Sequence, residues 1–421
     1  MNIMKCFECE TCGTHIDCRI GLSNRDVQPF QFACPECEEK ITFNILGEDF
    51  NLEGAIDLVD FEAPFTGDNH FIDLHLDFPA SFEKYEMGFT PFMRAAQEIG
   101  HENYQHLNER LNALNYLYPK KRELRRLITQ YKRGEVNTFR KTCNKLLGIQ
   151  LKSNKKQDIL AALYTATSIM SSPFTIHQHN EEISTKMPDL LRSLDYTHKI
   201  KTRAFFEQLI KTGFLRNVHH ECLSLYPKIV ELDLPLRPAL YFDYKQLNEG
   251  DKISGRVSTA DFDSCSNLYK DLSEVFSRLL TLVAGLNNLL KRGDYDLFDD
   301  SVRLNKKQEL IKELASLNNF TNMDLGKKIE CIDDSFYYID KSAINHKLRN
   351  AIAHYKYEYE ESTQMIFYYP NREGMSRENM YEISFLEFLR YSLMLFREVH
   401  SLNHIVKSLF FYTVLVLKKD I

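Results

Sequence analysis

Two groups of residues have types and spacings that could do chemistry. The first is Cys9/Cys12 and Cys34/Cys37, two C-x2-C pairs separated by 21 residues. Each pair suits a tight turn that points two thiolates at one ion, and Gly13 suits the backbone after the second thiolate. Four thiolates complete a tetrahedral shell and leave no open position for water, so the expected ion is structural. Cys6 and Cys9 are also C-x2-C, but Phe7-x-Cys9 parallels Phe32-x-Cys34, which selects Cys9 and Cys12. The second group is Arg349, Asn350 and His354, with His346 close by. Arginine grips phosphate bidentately and stabilises extra negative charge in a transition state. Neutral histidine takes a proton from a ribose 2′-hydroxyl, and protonated histidine returns one to a leaving 5′-oxygen. That chemistry needs no metal, and no acidic cluster near these residues suggests one.

The second group needs a helix to position it. On a helix from Lys341 to Tyr355, residues Ile344, Leu348, Ala351, Ile352 and Tyr355 share one apolar stripe. His346 and Asn350 then face away, flanked by Arg349 and His354. The first group needs strands and turns. Residues 41–46 and 70–78 alternate apolar and polar side chains, with turn signals at Gly47 and Gly67. From about residue 90 the period becomes helical, over 94–118, 120–133, 157–170, 200–211 and 218–232. A stretch rich in Pro and Gly, 234–255, reads as a boundary. Beyond it, helices are expected over 263–291, 306–317, 341–355 and 384–411, with a hairpin from 355–360 and 365–369.

Residues 5–46 resemble the zinc-ribbon family, which implies one structural Zn²⁺ per chain. The motif Arg349-Asn350-x-x-x-His354, followed by Tyr-x-Tyr and set among helices, resembles the HEPN domain in its Abi-like ribonuclease and toxin branch. That resemblance covers 262–412. It implies a helical bundle that pairs as a homodimer and brings two motif copies into one cleft. It also implies metal-independent endoribonuclease cleavage to a 2′,3′-cyclic phosphate, in phage defence, abortive infection or a toxin role. Arg349, Asn350 and His354 match the motif as catalytic residues; His346 lies outside it and is added here as an RNA contact. Some HEPN domains are inactive, so a non-catalytic dimerisation scaffold with a zinc-ribbon interaction module is the alternative.

The expected fold is mainly α: a zinc ribbon (1–46), an acidic β extension (47–89), a central helical domain (90–240) and a C-terminal HEPN bundle (256–421). Composition agrees with a globular chain of 421 residues, 43% hydrophobic and 27% charged. No apolar run reaches the roughly 18 residues of a membrane span, and the N-terminus lacks a signal-like stretch, so a cytoplasmic location without membrane contact is expected. Six of ten cysteines lie in the first 37 residues, which favours metal over disulfides in such a compartment.

The net charge of −6 is unevenly spread. Residues 36–88 hold fourteen acidic residues against two lysines, and 119–141 hold nine basic against two acidic. The acidic end should repel nucleic acid and suit a protein partner or regulator. The basic segment has two readings: Arg125 and Arg126 contact RNA, with Tyr131 available to stack, or the segment is a solvated or self-docking face over Leu124, Leu127, Ile128 and Tyr131. His219, His220 and Cys222, and His177 with His179, lack a second ligand cluster and read as surface or core residues. No glycine-rich phosphate loop occurs, so ATP, GTP and NAD use has no support.

Overall fold

The alternation near the N-terminus becomes strands in the computed structural model, which describes residues 2–47, 49–59, 61, 64–175, 180–248, 251–259, 262–333, 336–370 and 379–419. The strands are β1 (Asn2–Cys9), β2 (His15–Gly21), β3 (Val27–Ala33), β4 (Lys40–Leu46), β5 (Asp49–Glu53), β6 (Ala55–Leu58) and β7 (His70–His75). They form two sheets, β6-β1-β2-β7 and β3-β4-β5, with β2 and β7 parallel and the other pairs antiparallel. The period of two does what it should in β4. Ile41, Phe43 and Ile45 are buried while Thr42 and Asn44 are not. Phe7, Phe30, Phe43 and Phe50 join the sheets in an aromatic core, with Phe30 and Phe43 ring centroids 5.0 Å apart. Burial of each such ring stabilises the fold by roughly 1.5–3 kcal/mol. Strands from residues 47–89 complete both sheets begun by residues 1–46.

After the strands the chain is mostly α-helical, and it forms two compact units, each drawn from three stretches. The first comprises Met1–Pro119, Val230–Leu268 and Lys347–Leu393. The helix expected over 94–118 is two helices, Pro91–Ile99 and His101–Leu117, because Gly100 at φ +78° breaks the ladder between them. Within 234–255, read from sequence as a boundary, the start is part of the Asp233–Leu240 helix. Its Arg237 is fully buried and donates to Asp77 (2.8 Å), Asp233 (2.9 Å) and Asn115 (2.7 Å). Such a charge is tolerated only with several partners; Asp233 is one turn away on the same helix, but Asp77 and Asn115 are so distant in sequence that they leave no local signal. The hairpin forms as expected: β8 (Tyr357–Glu360) pairs with β9 (Met365–Tyr368), and β10 (Tyr381–Ser384) adds a third strand.

The second unit comprises Lys120–Ile229, Tyr269–His346 and Met394–Ile421. It contains the helices Lys121–Arg133, Val136–Leu147, Lys156–Thr175, Asn180–Thr197 and Lys199–Lys211, and nearly all of Phe214–Glu231. It also takes most of the two 31-residue helices Phe262–Arg292 and Phe385–Leu415. The helix expected over 306–317 does not form. The Asn305 side chain instead accepts from the backbone of Lys307 and Glu309, Gln308 sits at φ +62°, and Leu304 bridges to Leu310. A side chain bonding its own backbone competes with the helix at this point.

Candidate functional site

The cysteine pairs occupy two matching turns, one between β1 and β2 and one between β3 and β4. In the first, Cys9 N–H donates to Thr14 O and Gly13 N–H to Cys9 O, with Gly13 at φ +71°. In the second, Cys34 N–H donates to Glu39 O and Glu38 N–H to Cys34 O, with Glu38 at φ +60°. The left-handed residue after the second cysteine is therefore a glycine in one turn and a glutamate in the other. The two turns bring the four sulfurs within 4.8 Å of one another. Cys9 Sγ lies 3.7 Å from Cys37 Sγ, and Cys12 Sγ lies 3.7 Å from Cys34 Sγ.

Sulfurs at the corners of a tetrahedron around an ion at about 2.3 Å stand roughly 3.8 Å apart, so these four residues could hold a metal ion such as zinc. Hydrogen bonding to Thr14 pulls the Cys12 thiol down to about 6, towards the thiolate a metal needs, whereas burial raises Cys34, and Cys37 is pushed up to about 12 against a backbone hydrogen bond from Glu39. Cys6 and Cys18 stay out of the set. Both are buried on strands, and their sulfurs are not among the four that come within 4.8 Å of one another.

The Arg349 segment is shorter as a helix than expected. Asp340 caps a single 3-10 turn over Lys341–Ala343, Ile344 is extended, and the α-helix runs only from His346 to Ala353. It ends in a Schellman pattern: Tyr355 N–H donates to Ile352 O, Lys356 N–H donates to Ala351 O, and Tyr355 takes φ +56°. Glycine usually fills that position, and a tyrosine there costs about 1 kcal/mol or more. Leu348, Ala351 and Ile352 are fully buried as expected, and Ile344 is buried before the helix begins. Tyr355 is not in the stripe. The early end and positive φ turn it outward, and it is 77% exposed.

Arg349 and Asn350 are half-buried, and His346 and His354 are exposed. The Arg349 guanidinium donates to Asn350 Oδ1 at 3.2 Å. His354 is the residue just past the helix, its N–H still donating to Asn350 O. Arg349 and Asn350 thus lie on a helix whose apolar side is anchored, and His354 follows its last residue, five positions or about 140° of helix from Arg349. Lys347, not singled out in the sequence, is held by Tyr381 of β10, with Nζ 2.8 Å from the hydroxyl and 4.4 Å from the ring centroid. Its partner lies in a later strand, so the motif gave no hint of it.

No family model matches this chain, and no curated protein or solved structure matches it either. The geometry therefore carries the functional argument.

The remaining candidates fall elsewhere. Arg125 and Arg126 are exposed on the Lys121–Arg133 helix, over buried Leu124, Leu127 and Ile128. Tyr131 is half-buried against the His219 ring, 5.6 Å away. His219 and Cys222 are fully buried, and burial lowers His219 to about 3. Among the described residues, the four cysteines are the only cluster of three or more metal-ligating side chains. His177 and His179 lie outside the described residues. Among the described residues, no helix is long and apolar enough to cross a membrane.

Proposed function

We propose that this protein is a HEPN-type endoribonuclease that cleaves RNA to a 2′,3′-cyclic phosphate, with one structural zinc ion on Cys9, Cys12, Cys34 and Cys37. The observation that carries the reading is the His346–Ala353 helix, which holds Arg349 with its Asn350 partner and is followed directly by exposed His354. In the reaction, His354 removes the proton from a ribose 2′-hydroxyl. The 2′-oxygen bonds to phosphorus, the bond from phosphorus to the 5′-oxygen breaks, and a protonated histidine gives the 5′-oxygen its proton. Arg349 holds the phosphate and the charge that builds on it, with Asn350 fixing the guanidinium plane. His346, at the start of the same helix, contacts the RNA strand, and Arg125 and Arg126 add backbone contacts.

One helix end supplies one histidine, and the reaction uses an acid and a base. A homodimer related by a two-fold axis provides both, from two copies of the motif. The acidic N-terminal region is the surface for a protein partner or regulator. The chemistry fits an effector that acts inside a cell, in phage defence or as a toxin. A non-catalytic scaffold is favoured by one feature, since the Arg349–Asn350 hydrogen bond would also suit a purely structural arginine. Mixing Arg349→Ala chains with His354→Ala chains tests the composite site. Partial recovery of cleavage supports residues shared across the dimer, and full activity from a monomer overturns it.

A further inference from the structure

The Lys121–Arg133 helix ends at a cleft of about 760 Å3 within the second unit. That size is usual for a small-molecule site. Its rim carries Lys132, Arg133, Lys156 and Arg216, and Glu135 is the single carboxylate among the described lining residues. Glu135 lies 3.9 Å from Arg133, so the lining as a whole stays positive. The same field is felt by His220 in the wall, whose pKa is lowered by burial and then by the Lys132 and Arg216 charges.

The inner wall is aromatic. Phe139 and Phe410 are buried there, and Tyr131 is half-buried. Behind it stands His219, with its ring 4.4 Å from that of Phe410 and stacked on Tyr164 at 5.6 Å. Both ring nitrogens of His219 are buried with no hydrogen-bond partner. A second orphan belongs to the lining itself: Gln130 Oε1 is buried and accepts no hydrogen bond. Tyr131 is thus braced from behind beside an amide acceptor, under a rim of cations.

We propose that this cleft binds a nucleoside phosphate. Inorganic phosphate would satisfy the rim and leave the rings empty, and an aliphatic carboxylate would leave most of the rim charge unmatched. A flat base against Tyr131 and a phosphate on Arg216 and its neighbours match both. This assignment is independent of RNA cleavage at Arg349 and His354, which lie on another element.

Calorimetry on the full-length, zinc-loaded protein tests it, with 5′-AMP, 5′-UMP, adenosine, inorganic phosphate and a ten-nucleotide oligoadenylate as probes. AMP and UMP are expected to bind, and adenosine and phosphate each to bind roughly tenfold more weakly or worse. Arg216→Glu, at an exposed position, should weaken AMP roughly tenfold or more, as should Tyr131→Leu. If AMP displaces the oligonucleotide, the cleft takes the end of an RNA strand. AMP binding without such competition makes the ligand a free nucleotide. AMP binding no tighter than inorganic phosphate overturns the proposal, as does affinity for both AMP and the oligonucleotide that neither variant changes.

Discussion

Gly13 and Glu38 occupy equivalent positions in the two cysteine turns, both left-handed, and only one is a glycine. Nothing lies within 4 Å of a side chain placed on Gly13, so Gly13→Ala should cost only the backbone strain, about 1 kcal/mol. Glu38→Gly should gain a similar amount, less the hydrogen bond that Glu38 Oε1 accepts from Ser362 Oγ at 3.0 Å. Thermal unfolding of the metal-loaded protein reads both shifts, and equal melting temperatures for the two variants would contradict the matched-turn reading. At this scale the sequence was informative where chemistry and spacing coincide. Phe7-x-Cys9 against Phe32-x-Cys34 separated Cys9 from Cys6, and the sulfur distances agree. It was silent on Glu38 and Tyr355, because glutamate and tyrosine carry no sign that the backbone around them is left-handed.

At the scale of elements, the ribbon's two turns meet through their sulfurs, the hydrogen bond from Thr11 Oγ1 to Glu39 Oε2 at 2.9 Å and the aromatic core behind them, so metal and fold should be coupled. Cys34→Ser is expected to lose the metal and the N-terminal β structure together, read by metal content and circular dichroism. Retention of one zinc by Cys34→Ser would remove this site. A pH effect belongs to the Phe385–Leu415 helix. Burial pushes buried Glu398 up to about 7, the Tyr337 hydrogen bond at 2.7 Å pulling back and Asp340 adding to the rise. A carboxyl raised above its unfolded value is stabilising when protonated. Its contribution is present below about pH 4.5 and fades as pH rises through about 7.

Glu398→Gln should therefore flatten the fall in stability between those values and leave the mutant the more stable protein at pH 8. Denaturant unfolding at pH 5 and pH 8 checks this, and an identical pH dependence in both proteins would refute it. Periodicity showed the long helices well, because their apolar stripes are long. It failed at 306–317 and at 341–345, where Asn305 and Asp340 side chains bond to nearby backbone and end the pattern. The reading also passed over the Val136–Leu147 and Asn180–Thr197 helices, although Phe139, Cys143 and Leu146, and Ile183, Met187, Leu191 and Leu194, recur at helical spacing; Pro188 sits inside the second.

For the whole molecule, a mainly helical chain with a β N-terminus was legible from composition and period. The mixing of distant stretches was not. Arg237 meets Asp77 and Asn115, and the cleft near Tyr131 draws on Arg216 and Phe410, contacts that no local pattern encodes. The central claim concerns the Arg349–His354 helix end, and its test is direct. Purified wild type and His354→Ala are incubated with single-stranded RNA, with and without EDTA, and the 3′ ends of the products are identified. The wild type should cut in both conditions and leave 2′,3′-cyclic phosphates, while His354→Ala is slower by a factor of roughly 10² to 10⁴. Equal cleavage by the two proteins, or no cleavage by a folded wild-type dimer, would contradict it.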